Sequence, residues 1–306
     1  MLNLNHLYLF FRVAEQQHFT RAAEELFISQ PAVSKQVREL EQSLGLALFE
    51  SNARRKVQLT PAGQTIYEHA ARVFGLVEDM ERVVDDIKGL RQGRLAVGAS
   101  TTIGIYILPP LLGRYNAAYP HIDLFLDIAN NEQIQHKVVT RQLELGLVEG
   151  FVSGSELSAL EWQSDELVLI CAPDHPLCQK AAESSLTIKE VLTYPLILRE
   201  EGSGTRDVLE KALLDYKLSW NLGMELGSTE AIKRVVAAGV GISFVSYNTI
   251  ELEEAAGKLV RLPVSDLELK RILWLVYRPD RHFSPAGLAF LQELQVLLPG
   301  ATIRVP

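Results

Sequence analysis

HFTRAAEELFISQPAVSKQVRELEQSLGLALFESNARRKVQLTPAG, residues 18–63, decides how the chain is organised. Thr20 precedes RAAEEL with Glu24 and Glu25 in the early turns, an N-cap followed by acids where the helix dipole favours them; this predicts a short helix over 21–27. After Ile28 and Ser29 a second helix can start at Pro31, since the first helical position does not need the N–H that proline lacks. It runs through Val33, Val37, Leu40 and Leu44 and stops at Gly45. Two short helices joined by a tight turn have the helix-turn-helix layout, with Gln30, Ser34, Lys35 and Arg38 on the polar face of the second. The N-terminal part of such a helix enters the major groove. There Gln and Lys reach base edges, Ser donates or accepts, and a proline ring can touch a thymine methyl. Thr20, Arg21, Ser29, Gln30, Pro31, Ser34, Lys35 and Arg38 are therefore the expected DNA contacts of this segment. LALFESNARRKVQLT (46–60) then reads as two short strands around a turn, a wing whose Arg54, Arg55 and Lys56 hold register against phosphate or the minor groove. Periodicity alone would equally fit any small three-helix bundle with solvated charges.

Working outward, Leu4, Leu7, Tyr8, Phe11, Val13 and Ala14 recur near helical spacing, which predicts a preceding amphipathic helix over 5–17. Downstream, Thr60 and Pro61 form an N-cap and N1 proline, and a long helix follows. Its apolar positions at Ile66, Ala70, Val73, Val77, Met80, Val84 and Ile87 alternate in steps of four and three, a coiled-coil seam that requires a partner. The seam can be met by a second copy of the chain or by the chain's own body.

The 306 residues are 47% hydrophobic and 22% charged, enough apolar material for packed cores and too much for a disordered or fibrous chain. Two cysteines exclude a disulfide framework, and the N-terminus has no basic segment ahead of an apolar stretch, so a reducing cytosol is the expected compartment, with no membrane partner. The net charge of −8 is unevenly spread: residues 1–60 hold seven Lys/Arg against six acids, a net of +1 that leaves −9 for the rest. A near-neutral head with local basic clusters on an acidic body suits a DNA-reading module on a sensor.

Beyond Gly93 the pattern changes to strands alternating with helices, an α/β body. RLAVGAS (94–100), HIDLFLDIA and LELGLVEG read as strands, with helices over 102–117, bent near Pro109 and Pro110, and over 131–140. A second subdomain begins near Asp165 with ELVLICAP, YPLILRE, TRDVLEKALLD, GMELGS, TEAIKRVVAAG and GISFVS. LELKRILWLVYR and a helix from Ser284 to Leu298 return to the first. The expectation is two Rossmann-like lobes joined by two crossings, the hinged arrangement of type 2 periplasmic binding proteins.

Ligands in such lobes bind at strand ends and helix N-termini. Three segments share that position: Ser100-Thr101-Thr102, Ser203-Gly204-Thr205 and Ser228-Thr229. Each is also an ordinary helix cap, but facing one another across a cleft they suit a small oxyanion. Glu149 ends a strand toward the same cleft, where it could discriminate among ligands, orient a hydroxyl or cation, or face solvent. Arg206 can pair with Asp207 or Glu210 on its own helix.

Enzyme readings are weak. GSGTR lacks the Walker lysine, Cys171 lies in an apolar strand, Cys178 has no assignable base, and the seven histidines show no metal spacing. No cofactor and no metal are expected. A transport receptor fits two lobes but not the helix-turn-helix or the N-terminus.

Residues 18–63 closely resemble the winged helix-turn-helix of LysR-type transcriptional regulators, with Ser51 standing where the family usually has arginine after LFE. The resemblance extends into the body. GASTTIGIYILP, LGLVEG, LILREEGSGTR and LGSTEAIKRVVAAGVGISFVS are similar to the subgroup that includes CysL and YeiE. It implies a DNA-binding head over 1–60, a dimerising linker helix over 61–89 and an effector domain over 90–306, with lobe I at about 92–163 and 269–302 and lobe II at about 164–268. It further implies a homodimer or homotetramer on a pseudo-palindromic operator of double-stranded DNA, contact with RNA polymerase, and sulfite or a related sulfur oxyanion as effector in sulfur metabolism. The related CbbR-type regulators share the STT turn and respond to phosphorylated or carboxylated metabolites.

Overall fold

A computed structural model describes residues 2–50, 57–87, 93–281 and 283–296. The wing residues Ser51, Arg54, Arg55 and Lys56 lie outside them. The chain divides into two compact units, a helical head and an α/β body.

The head holds α1 (Leu4–Gln16), α2 (Phe19–Glu25), α3 (Gln30–Leu44) and α4 (Pro61–Ile87). Leu7, Phe10, Phe11 and Val13 of α1 meet Ala22 and Ala23 of α2 and Val33, Val37 and Leu40 of α3 in one apolar core. Ser29 Oγ caps α3 by accepting from the Ala32 N–H, and Gly45 ends it at φ 67°, in the left-handed region glycine enters freely. One expectation is corrected. The cap of α2 is His18, whose Nδ1 accepts from the Thr20 N–H at 3.2 Å, so Thr20 lies inside the helix. Packing of Phe19 edge-on against Phe49 draws the helix start forward. Of the two expected wing strands, the described residues contain one antiparallel bridge, Phe49 to Leu59.

The long helix forms as expected, with Thr60 Oγ1 accepting from the Gly63 N–H. Its seam is not continuous. Ile66 and Ala70 are taken by the head's own core, whereas Val73, Val77 and Met80 are exposed; the side chains of Val84 and Ile87 lie outside the described residues.

The body contains β1 (Gly93–Ser100), β2 (Ile122–Ala129), β3 (Leu145–Glu149), β4 (Ser158–Cys171), β5 (Leu196–Arg199), β6 (Leu222–Leu226), β7 (Ser243–Ser246), β8 (Val260–Leu262) and β9 (Leu269–Tyr277). Its helices are α5 (Pro109–Ala118), α6 (Asn131–Val139), α7 (Pro176–Glu183), α8 (Ile188–Val191), α9 (Gly204–Asp215), α10 (Thr229–Ala237), α11 (Glu251–Ala255) and α12 (Pro285–Val296). A π-helical turn, Ile103–Ile107, precedes the expected bend at Pro109.

The main sheet runs β2-β1-β3-β9-β4-β7, with β8 also on β4; β5 and β6 pair separately and join through the bridge Leu196 to Ile242. β4 is the spine. Its first half pairs with β9 from Ser158 to Leu167 and its second half with β7 and β8, so the two strands that cross between lobes are hydrogen-bonded to each other. The first half of β4 was not expected as strand, because a bulge between Glu161 and Gln163 breaks the alternation that marks one. Lobe I packs β1, β3 and β9 against α5 and α12, and lobe II packs β4, β5 and β7 against α9 and α10.

Candidate recognition face and effector cleft

On the head, Thr20, Arg21, Ser29, Gln30, Pro31, Lys35 and Arg38 are exposed. Ser34 is half-buried and accepts from Gln30 Nε2 at 2.8 Å, a bond that aligns both side chains along the first turns of α3. Lys35 lies 3.8 Å from Glu39, a loose pair that leaves its ammonium available. Arg12, by contrast, is bound to Glu15 and Glu25 and is structural.

In the body the three hydroxyl-bearing turns converge, but on groups of the protein itself. Glu149 is buried at the end of β3, and its carboxylate accepts from Ser100 Oγ at 2.7 Å, Thr102 Oγ1 at 3.4 Å and Thr205 Oγ1 at 3.2 Å. Arg271, at the centre of β9, reaches the same carboxylate at 3.1 Å and clasps Asp165 of β4 at 2.7 Å. It also donates to Thr205 and Thr102. A solvent-facing Glu149 is thereby excluded; it orients hydroxyls from both lobes. Gly204 permits this, since a Cβ there would stand 2.3 Å from the Glu149 carbonyl oxygen.

A second guanidinium ties the remaining turns. Arg199, buried at the end of β5, donates to Thr101 Oγ1 at 3.3 Å and Thr229 Oγ1 at 3.1 Å while chelating Glu200. Burial works to raise the Glu200 carboxyl, but the hydrogen bonds and charge of Arg199 outweigh it and hold it below the ordinary range. Ser228 is the N-cap of α10 without a side-chain cap bond.

Each hydroxyl carries one proton. Those of Ser100, Thr102 and Thr205 point to Glu149, which leaves for a ligand the first-turn amides of α9 and α10 and the hydroxyls of Ser203, Ser228 and Thr229, the last of which accepts from Arg199. Ser203 sits at the N-cap of α9, is only 1% exposed, and its buried Oγ has no hydrogen-bond partner. A buried hydroxyl without a partner costs free energy that an arriving acceptor recovers.

Beside the cleft, Tyr106 of the π-helical turn hydrogen-bonds Glu230 at the start of α10, joining lobe to lobe. Lys233 lies beneath the Tyr106 ring, pairs with Glu230 at 2.7 Å and Glu253 at 2.9 Å, and donates to the Thr249 carbonyl. Burial and Glu230 push the Tyr106 phenol up to about 12. Burial works to lower the Lys233 ammonium, but Glu230 and Glu253 outweigh it and raise it.

Arg199, Arg271 and Asp165 were not anticipated from the sequence. For Arg271 a signal exists: Leu269, Arg271, Leu273, Leu275 and Tyr277 form one face of β9 at period two, all buried, so the pattern points the arginine inward. Arg206 pairs with Glu210 as expected and also with Glu225. Cys171 is in the core, its thiol pushed up by burial and by Cys178. Among the described residues no group of three or more His, Cys, Asp or Glu could hold a metal, and no helix is long and apolar enough to cross a membrane.

A helix-turn-helix head with a two-lobed α/β body defines a DNA-binding transcription regulator, not an enzyme. The chain belongs to the LysR family: residues 4–64 match the bacterial regulatory helix-turn-helix protein, lysR family, and residues 88–298 match the LysR substrate binding domain. It is 36% identical over 289 residues to a RuBisCO operon transcriptional regulator of Allochromatium vinosum, covering 94% of each chain. It is 33% identical over 290 residues to the regulator YeiE of Escherichia coli, covering 95% of this chain and 96% of that one. The regulatory domain of Synechocystis CcmR in complex with 2-PG superposes at TM-score 0.62 with 32% identity, covering 67% of this chain and 97% of that one. Sulfur metabolism, expected above, finds no support in these relatives; the CbbR-like alternative fits them better.

Proposed function

We propose that the interlobe cleft binds a small organic anion carrying phosphate or carboxylate, of the 2-phosphoglycolate class, and that binding changes how the head engages its operator. The observation that carries this reading is the buried, unpartnered Ser203 Oγ at the N-terminus of α9, where helix amides and dipole favour negative charge. The relatives that regulate RuBisCO operons and the 2-PG complex of CcmR support the same class. Arg199 and Arg271 then act as positioning cations: each already holds turns from both lobes, so a ligand that draws either away from its carboxylate alters lobe closure. Ser100, Thr101, Thr102, Glu149, Thr205, Ser228 and Thr229 form the wall that keeps these groups in place. The exposed Val73, Val77 and Met80 pair protomers, setting two heads on a pseudo-palindromic site.

Calorimetric titration of the full chain with 2-phosphoglycolate, phosphate, sulfite and sulfate tests this. The organic anion binds, and Ser203→Ala weakens it about tenfold through loss of one hydrogen bond to a charged group. Binding of sulfite alone returns the sulfur reading; unchanged affinity in Ser203→Ala overturns the site.

A further inference from the structure

Phe27 stands in the turn between α2 and α3 with two unfavourable features at once. It is 96% exposed, and its φ is 55°, the left-handed region that bulky residues rarely adopt. The hydrogen bonds explain the second feature. The Phe27 N–H donates to the Glu24 carbonyl and the Ile28 N–H to the Ala23 carbonyl, the pairing of a Schellman motif in which Phe27 fills the C′ position where glycine is commonest. Folding of the turn therefore favours glycine or asparagine here, and water favours a polar side chain. The ring is absent from the head core, which takes Phe10, Phe11, Phe19 and Phe49.

An aromatic residue at such a position contributes nothing to the isolated head that a smaller one would not supply better. Its neighbours in the chain are Ser29, Gln30 and Pro31, all exposed at the start of the recognition helix. We infer that Phe27 is a DNA-contacting residue, its ring packing on deoxyribose at the wall of the groove that α3 enters. The contact is continuous with the recognition face and is apolar, unlike those of Arg21, Lys35 and Arg38. It adds affinity without neutralising phosphate.

The probe is the duplex recovered by the wild-type full chain from a random-sequence library, and the measurement is affinity across a salt series for wild type, Phe27→Gly, Phe27→Asn and Phe27→Tyr. Loss of the ring in the Gly and Asn variants is expected to weaken binding about five- to tenfold. The slope of log affinity against log salt stays that of wild type, because no cation is lost. Phe27→Tyr binds like wild type, and Phe27→Gly melts no lower. Equal affinity in the Gly and Asn variants overturns the assignment. So does weakened binding accompanied by a lower melting temperature, which marks a structural role, or by a changed salt slope, which marks disturbed cationic contacts.

Discussion

In the head, Thr20, Arg21, Ser29, Gln30, Lys35 and Arg38 stand exposed around a core of aliphatic and aromatic side chains, whereas in the body Ser100, Thr102, Thr205 and Thr229 are buried and hydrogen-bonded to Glu149, Arg199 or Arg271. Under the proposed function, the difference follows from the size of what each region meets. A duplex is larger than the head and brings its own surface, so reading groups must project into water. A small anion is enclosed by the protein, so groups around it must be satisfied before it arrives and still yield when it does.

The contrast is broken most severely at Arg271. Both carboxylates it holds, Glu149 and Asp165, are buried, and Arg271→Met leaves them facing each other without a cation. Breaking a buried ion pair from one side costs about 3–5 kcal/mol. Trp162, Trp220 and Trp274 all lie in the body, so denaturant unfolding followed by tryptophan fluorescence reads this loss without interference from the head. A loss below about 1 kcal/mol, the range of exposed pairs, would show that the triad is open to solvent. No equivalent substitution on the recognition face is expected to approach the larger figure.

The same contrast governs what could be read from sequence. Helix-turn-helix order, the cap at Thr60 and the β/α alternation are local, written in spacing and terminal residues. The hydroxyl turns were legible as strand-to-helix junctions, but not their partners. Arg271 is 122 residues from Glu149 and 106 from Asp165, and only pairing of β9 with both β3 and β4 brings them together. Ser203 could be picked out as a cap position, but its lack of a partner is a property of packing. On α4, Ile66 and Ala70 satisfy a heptad and the head core equally well, so spacing alone did not show that the core takes these two seam positions.

Alkaline titration sharpens the comparison within the body. Tyr106 is raised to about 12 by burial and Glu230, and Lys233 is raised as well. Groups whose folded pKa exceeds the unfolded one stabilise the fold fully below the unfolded value, and that contribution disappears as pH rises through the folded value. The contribution of Tyr106 and Lys233 is therefore constant up to about pH 10, the ordinary tyrosine value, and falls above it. Tyr106→Phe removes the tyrosine share and flattens the onset. At the acid end Glu200 and Glu230 are depressed, so their contribution is present above the ordinary glutamate range and is lost as pH falls through their lowered values. An onset identical in wild type and Tyr106→Phe would remove Tyr106 from the interlobe clasp.

The smallest effect is at Ser29, where the two regions' rules meet in one side chain. Ser29 is exposed on the recognition face, yet its Oγ accepts from the Ala32 N–H at 3.4 Å and caps α3. Ser29→Ala loses an N-cap, worth about 1 kcal/mol, seen as earlier loss of helical circular dichroism while tryptophan fluorescence of the body is unchanged. Ser29→Asp separates the roles. Aspartate caps as well as serine, so the head melts like wild type, but a carboxylate at the start of the recognition helix repels phosphate and weakens binding to every duplex. If Ser29→Asp binds DNA as wild type does, the N-terminus of α3 is not at the interface, and the exposure of its neighbours has another cause.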